Sequence, residues 1–239
     1  MKRAFLASLA AGALLAAPMM ADERDPLEGL NRKTMALNYV VDTAFVKPLA
    51  KVYVTVVPGF ARKGVRNVLN NVREPRTVLN QCLQGKFNLA ASDAARFIVN
   101  STVGVAGLFD VATAAGLERH NEDFGQTLGR WGVGRGAYLV LPVFGPSTMR
   151  DGVGRAVDFG TGPRLYIEND EVGYGLGLLG VVDARGDWLG AVDLPDDPYV
   201  ALRESYLARR EREVADLVEP PPEEPAENGH DRDPAPAGG

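Results

Sequence analysis

The stretch EDFGQTLGRWGVGRGAYLVLPVFGPSTMRD, Glu122 to Asp151, decides how the rest of the chain is read. Glycines at 125, 129, 132, 134, 136 and 145 stand among Phe124, Leu128, Trp131, Val133, Tyr138, Leu139, Leu141 and Phe144. A glycine inside a helix costs about 1 kcal/mol relative to alanine, so this density is destabilising unless the chain needs positive φ or a close backbone approach. The expected element is a tightly turned apolar wall with something packed against its backbone. His120, Asp123 and Ser147 supply the residue types of a hydrolase triad. Gly145-Pro146-Ser147-Thr148-Met149 lacks the second glycine of a nucleophile elbow, however, and a proline precedes the serine. Ser147 or Thr148 reads better as the cap of a helix over Arg150 to Val157. Glycines 132, 134 and 136 do not follow a clear strand and open a helix, as a dinucleotide-binding loop would require. No catalytic, cofactor or metal site is expected.

On the amino-terminal side, Met1 to Ala21 has basic Lys2-Arg3, an apolar run over 4–17 and small residues before Asp22-Glu23, the three parts of a secretory signal. Three segments result: a signal peptide over 1–21, one helical domain over 22–218 and an acidic, proline-rich tail over 219–239. The leader holds no cysteine and Cys82 is the only one in the chain, which excludes an internal disulfide. Cys82 is expected as a small buried hydrophobe.

Asp25-Pro26-x-Glu28 reads as a capped helix start. Leu27, Leu30, Leu37, Val40, Val41, Ala44 and Phe45 then recur at helical spacing, with Asn31, Arg32, Asn38 and Asp42 on the polar side and Pro48 as the stop. Lys51 to Val57 is β-branched enough to pass for a strand, yet has no evident partner. Over Pro58 to Val72, Ala61, Val65, Val68, Leu69 and Val72 form the stripe expected to be buried. Glu74-Pro75 is expected to break that helix. Val78, Leu79, Cys82 and Leu83 form a second stripe, ended by Gly85. Asn88 is expected to cap a third helix closed by Gly104 and Gly107, with a short one over Leu108 to Ala115 beyond it.

On the carboxyl-terminal side, 19 of the 27 glycines fall between Gly104 and Gly190. Gly173 and Gly177 have a spacing that fits close helix approach in lipid and loose packing in water equally well. Asp197-Pro198 starts the last helix. Tyr199, Leu202, Tyr206, Val214 and Leu217 are spaced to pack, and the charged run Arg209 to Glu213 is read mostly as a solvated face. The tail, with six prolines and no means of burying a core, is expected to be disordered. It also carries the whole net charge of −5, leaving a balanced remainder and excluding a nucleic-acid surface.

Asp123 to Gly129, Gly132-Val133-Gly134-x-Gly136-x-Tyr138 and Leu141-Pro142-x-x-Gly145-Pro146-Ser147-x-x-Arg150-Asp151 together resemble the MlaA/VacJ family of outer-membrane lipid-trafficking proteins. The likeness extends, in order, to Asp25 through Arg32, NVLNNVREPRTVLNQCLQG over 67–85, Arg96-Phe97 with Asn100, Gly104, Gly107 and Asp110, and Asp197-Pro198-Tyr199 with Arg203, Glu204 and Tyr206. The resemblance implies an all-α fold: a ring-like or curved bundle of amphipathic helices about the glycine-rich segment, with 51–57 helical. It implies a place on the periplasmic side of the outer membrane and a central passage by which phospholipids misplaced in the outer leaflet reach a periplasmic carrier protein. Association with trimeric porins is implied as well. Phe124, Leu128, Gly132, Gly134, Gly136 and Tyr138 are the residues expected to form the channel wall or its support. Relatives are usually anchored through a lipidated cysteine. Attachment here is expected to fall to folded apolar surface or an uncleaved leader.

Overall fold

The structure is a computed structural model. It describes residues 25–162, 170–189 and 197–216. The expected leader and tail, and Leu217, lie outside the described residues.

Helix α1, Glu28–Val41, runs through one π-helical turn, Asp42–Val46, into α2, Lys47–Val56. Pro48 does not stop it. It sits at the second residue of α2, directly after the π-helical turn, and the helix continues through it. The segment 51–57 that passed for a strand is helical up to Val56. Asp25 is not the N-cap. It lies two residues upstream of Leu27 and accepts the Leu27 N–H at 3.1 Å.

Helix α3, Gly59–Leu83, is continuous through Pro75, so the expected break is absent. An interior proline costs about 3 kcal/mol, and packing along α4, Phe87–Thr102, offsets it. Asn88 lies inside α4 rather than at its cap. The chain leaves α4 through Gly107 at φ +87°, where a side chain would also strike Asn71. It then enters α5, Val111–Ala114, which is capped by Asp110.

The glycine-rich stretch is partly a hairpin. After α6, Phe124–Arg130, strands β1, Tyr138–Leu141, and β2, Gly145–Thr148, pair antiparallel with Tyr138 opposite Thr148. Thr148, the second of the two cap candidates, caps α7, Met149–Thr161, by accepting the Asp151 N–H. Helices α8, Asp170–Asp187, and α9, Pro198–Val214, complete the chain, with Asp197 and Pro198 starting α9 as expected. Among the described residues the regular structure is helical apart from this one hairpin.

Successive contacts close a circuit. Helix α1 lies on β1, β2 on α9, α9 on α6, α6 on α3, α3 on α8, and α8 on α2, which continues α1. Asparagines make one joint. Asn31 Nδ2 donates to the Tyr138 carbonyl at 3.0 Å while its Oδ1 accepts the Val140 N–H at 2.9 Å. Two turns on, Asn38 bonds the Leu141 carbonyl and the Val143 N–H in the same manner. Another joint is Thr127, whose hydroxyl donates to Asn80 Oδ1 at 2.8 Å and accepts from Gln84 at 3.1 Å.

The expected packing face is inverted on α1 and over the second stripe of α3, whereas Leu69 of the first stripe and Tyr199 and Tyr206 of α9 are buried as expected. Among the described residues 20 polar or charged side chains are buried against nine hydrophobic ones, while Leu30, Leu37, Val40 and Phe45 of α1 and its π turn are exposed. Asn31, assigned from sequence to the polar and therefore outer side, is 1% exposed. Leu79 and Leu83 of the second expected stripe face outward, and so does Cys82, which is not the buried hydrophobe expected.

Candidate functional site

The circuit encloses a cavity of about 460 Å³. Its walls come from α3 (Leu69, Val72, Arg73, Arg76), α7 (Asp151, Arg155, Asp158, Phe159), α8 (Gly173, Tyr174, Leu176, Gly177) and α9 (Tyr206, Arg209, Arg210, Glu213), with Asn121 and Asp123 from the segment before α6. A wider hollow of about 1070 Å³, lined among others by Lys86, Arg119, His120, Trp188 and Arg212, shares Asn121, Tyr206, Arg209 and Glu213 with the first. The two spaces therefore adjoin at these side chains.

Arg210 sets the geometry of one wall. It reaches Asp123 at 2.8 Å and 3.0 Å, Asp151 at 3.0 Å and 3.2 Å, and Glu213 at 2.6 Å. Burial works to raise both aspartates, but the Arg210 bonds and charge outweigh it. Asp123 is held below the usual carboxylate range, and Asp151, helped by Arg150 and the Tyr206 hydroxyl, falls to about 2. The sequence reading that treated Arg209 to Glu213 as mostly solvated missed Arg210, which is 7% exposed. A signal was present: Tyr199, Tyr206 and Arg210 are spaced by seven and four, one stripe of a helix.

The glycine density has a definite use, though not where the spacing placed it. A Cβ on Gly154 would lie 2.6 Å from the Gly125 Cα, so α6 and α7 cross in backbone contact. A Cβ on Gly125 would meet Arg210 and Asp151 at 2.8 Å, so this crossing lets the arginine reach both acids. Gly132 (φ +86°) and Gly134 stand in open space, and Gly136 (φ +67°) faces Met149 at 3.0 Å. A Cβ on Gly173 or Gly177 would meet nothing within 4 Å, so among the described residues neither glycine serves a close helix approach. They leave the cavity open.

Phe124, Leu128, Gly132, Gly134, Gly136 and Tyr138 are not among the residues lining these two spaces. Phe124 meets the Trp131 ring edge-on at 5.8 Å and donates its N–H to Asp158 at 3.0 Å. Tyr138 is buried with its ring centroid 6.0 Å from that of Tyr199 and 6.1 Å from that of Tyr206, which does line both. The triad candidates are not assembled. His120 Nδ1 is paired with Asp93 at 3.1 Å, Asp123 with Arg210, and Ser147 is wholly buried with its hydroxyl on the Thr148 carbonyl.

A closed circuit of helices around a charged cavity, with apolar side chains turned outward and, among the described residues, no helix long and apolar enough to cross a membrane, is the class that fold and site define. The chain belongs to the MlaA lipoprotein family, whose model matches residues 23–213. It is 35% identical over 194 residues to the intermembrane phospholipid transport system lipoprotein MlaA of Escherichia coli (strain K12), covering 78% of this chain and 77% of that protein. The protein of the same name from Haemophilus influenzae is 34% identical over 212 residues, 84% of each chain. A solved chain from work on the "Structural basis for maintenance of bacterial outer membrane lipid asymmetry" superposes with a TM-score of 0.72 at 33% identity, covering 80% of this chain and all of that one.

Proposed function

We propose that this protein is a membrane-seated passage for phospholipids, the outer-membrane component of a system that removes phospholipids misplaced in the outer leaflet and so maintains lipid asymmetry. The carrying observation is the inversion: polar side chains inside, large apolar ones outside. In water such a surface is costly at about 25 cal/mol per Å² of exposed apolar area; in hydrocarbon that cost vanishes, and a polar interior is then the reasonable place for head groups. Leu37, Phe45, Val52 and Val56 on α1–α2, with Phe87 and Ile98 on α4, give a belt that seats the protein by folded surface. Open backbone at Gly173 and Gly177 and the mixed walls of the cavity suit a molecule with a charged head and apolar tails. Passing the lipid requires no covalent chemistry and no cofactor.

Family membership supports the finer parts of this reading. The protein faces the periplasm, hands phospholipid to a soluble periplasmic carrier and sits beside trimeric porins. In it, Tyr138 supports the cavity through Tyr206, and Phe124, Leu128, Gly132, Gly134 and Gly136 belong to the surrounding frame.

The test is to plug the cavity. Gly177→Trp adds a side chain where a Cβ meets nothing and replaces a helix-interior glycine, so the fold tolerates it. In cells lacking the wild-type gene, outer-leaflet phospholipid, measured by phospholipase accessibility on intact cells, is expected to rise. Wild-type protein should restore it and folded Gly177→Trp should not. Full restoration by the plugged variant overturns the passage and leaves a porin-associated scaffold.

A further inference from the structure

Most charges on the cavity wall are neutralised within the wall. Arg210 is closed by Asp123, Asp151 and Glu213, Arg209 lies 3.7 Å from Glu213, and Arg155 donates to the Phe144 carbonyl at 3.1 Å. Arg73 and Arg76, one turn apart on α3, are different. Both face the cavity, and among the described residues neither makes an ion pair or a side-chain hydrogen bond; the Arg76 Nε is buried without a partner. Arg73 is an exposed residue that lines the cavity, and partial burial of its guanidinium together with the charges of Arg76 and Arg119 lowers its pKa. Across from it α8 presents Gly180, where a Cβ would lie 3.3 Å from the Arg73 guanidinium, so the helix leaves room for that group.

The nearby acids do not close this pair. Asp183, which attracts Arg73 from a distance, is held by Arg66 at 3.0 Å and by the Tyr53 hydroxyl at 3.1 Å. Asp158, which interacts with Arg76 at long range, already accepts from Asn80 on one oxygen and from the Phe124 N–H on the other. Two adjacent cations held without counter-charge cost free energy unless a ligand supplies the charge. Two guanidinium forks suit the oxygens of a phosphate. Leu69 and Val72 on the same helix, with Leu176 and Phe159 on α8 and α7, add apolar wall beside them.

We propose that Arg73 and Arg76 form a subsite for the phosphate of an anionic glycerophospholipid head group, with the acyl chains along the apolar part of the same cavity. The proposal rests on the reading of the cavity as a lipid passage and adds a preference. The phosphate of either kind of head group reaches both arginines; the preference arises because the ammonium of a zwitterionic head group is set beside two cations, while Asp158 and Asp183 are already engaged elsewhere.

The experiment uses the full chain purified in a non-ionic detergent. Equilibrium binding is measured with radiolabelled phosphatidylglycerol and phosphatidylcholine in micelles, and with inorganic phosphate alone. The wild type is expected to favour phosphatidylglycerol about tenfold, the scale of one unfavourable contact between the choline ammonium and the arginine pair. The double variant Arg73→Gln/Arg76→Gln should bind the two lipids alike, and Arg73→Lys/Arg76→Lys should keep part of the preference, retaining charge without the fork. The Gln variant's melting temperature without lipid should hold or rise, because mutual repulsion is removed; a clear fall marks a structural role and overturns the subsite. If the Gln variant does not fold, the Lys variant decides: an unchanged preference overturns the proposal, and a partial loss supports it. Equal binding of both lipids by the wild type removes the subsite and leaves the passage standing. Failure of the wild type to bind either lipid removes the passage as well. Phosphate captured by the arginines with no preference between lipids reassigns the site to a free anion and overturns the head-group assignment.

Discussion

The two faces of α3 invite comparison. Inward, Glu74, Thr77, Asn80 and Gln81 are at most 2% exposed, and Glu74, Asn80 and Gln81 are engaged with neighbouring helices; outward, Leu79, Cys82 and Leu83 from the same three turns are open. In a protein surrounded by water these faces would be exchanged. One helix cannot bury its polar stripe and bare its apolar one unless the interior repays the polar groups and the medium outside tolerates the apolar ones. The comparison therefore breaks in two ways, by spoiling the repayment inside or by showing that the outside is wet.

The largest expected effect comes from the inside, at Arg210. Removing one partner of a buried charged cluster leaves the others uncompensated, at a cost of about 3–5 kcal/mol. Arg210→Ala strands Asp123 and Asp151, which pin the start of α6 and the first turn of α7 to α9. A drop of that size in chemical denaturation, with α9 becoming protease-sensitive, is the expected outcome. A change below about 1 kcal/mol, the scale of a surface ion pair, would show that the cluster is solvated and that the polar interior is less dry than its geometry indicates.

That cluster also shows what the sequence could and could not convey. The helical spacing of α3 was legible in Val65, Val68, Leu69 and Val72, and the cap-plus-proline start of α9 was legible at Asp197-Pro198. Periodicity locates an apolar stripe, but it does not say whether water or lipid lies against it, and so it points Asn31 and Arg210 outward. Family likeness supplied the ring and the lipid, which no residue pattern contained. Pro75 misled because local backbone preference was weighed without the α4 packing that overrides it. The six wall candidates were chosen for glycine density. The close approaches that density serves are at Gly125 and Gly154, and the cavity owes its openness to Gly173 and Gly177 on a different helix.

A second way to probe the interior is pH. Glu74 lies with Asp93 in a pocket where Arg96 approaches at 3.8 Å and Arg119 at 3.5 Å, and Asp110 stands beyond Arg96. Burial, then the charge of Asp93, raises the Glu74 carboxyl from 4.5 to about 7 despite the arginines. The folded protein thus keeps a proton there that the unfolded chain releases above about pH 4.5. Stability is expected to fall as pH rises through the window from about 4.5 to 7, by roughly 3 kcal/mol in total on this group's account. Asp151 acts in the opposite sense in a lower window, its contribution being lost as pH falls from about 4 towards 2. Glu74→Gln should flatten the upper slope, read from denaturation midpoints at pH 5, 6, 7 and 8. An unchanged slope would mean that Glu74 is ionised throughout and that its side of the interior is hydrated.

The smallest effect on the fold, and the most direct reading of the outer face, belongs to Cys82. Its side chain is exposed between Leu79 and Leu83 and makes no disulfide. Cys82→Ser should therefore change stability by less than about 0.5 kcal/mol, as substitutions away from packed features do. The informative measurement is the rate at which the thiol is alkylated by two maleimides, one carrying a sulfonate and one uncharged and membrane-permeant. In detergent micelles diluted towards the critical concentration both should react. In membranes the charged reagent must leave water to reach a thiol in the hydrocarbon belt, at a desolvation cost that the uncharged reagent does not incur. A rate for the charged reagent at least tenfold below that for the uncharged one, seen only in membranes, places this face of α3 in lipid. Equal rates would place it in water, and the polar interior would then need another explanation, since a chain with both faces wet gains nothing by hiding Glu74 and baring Leu79.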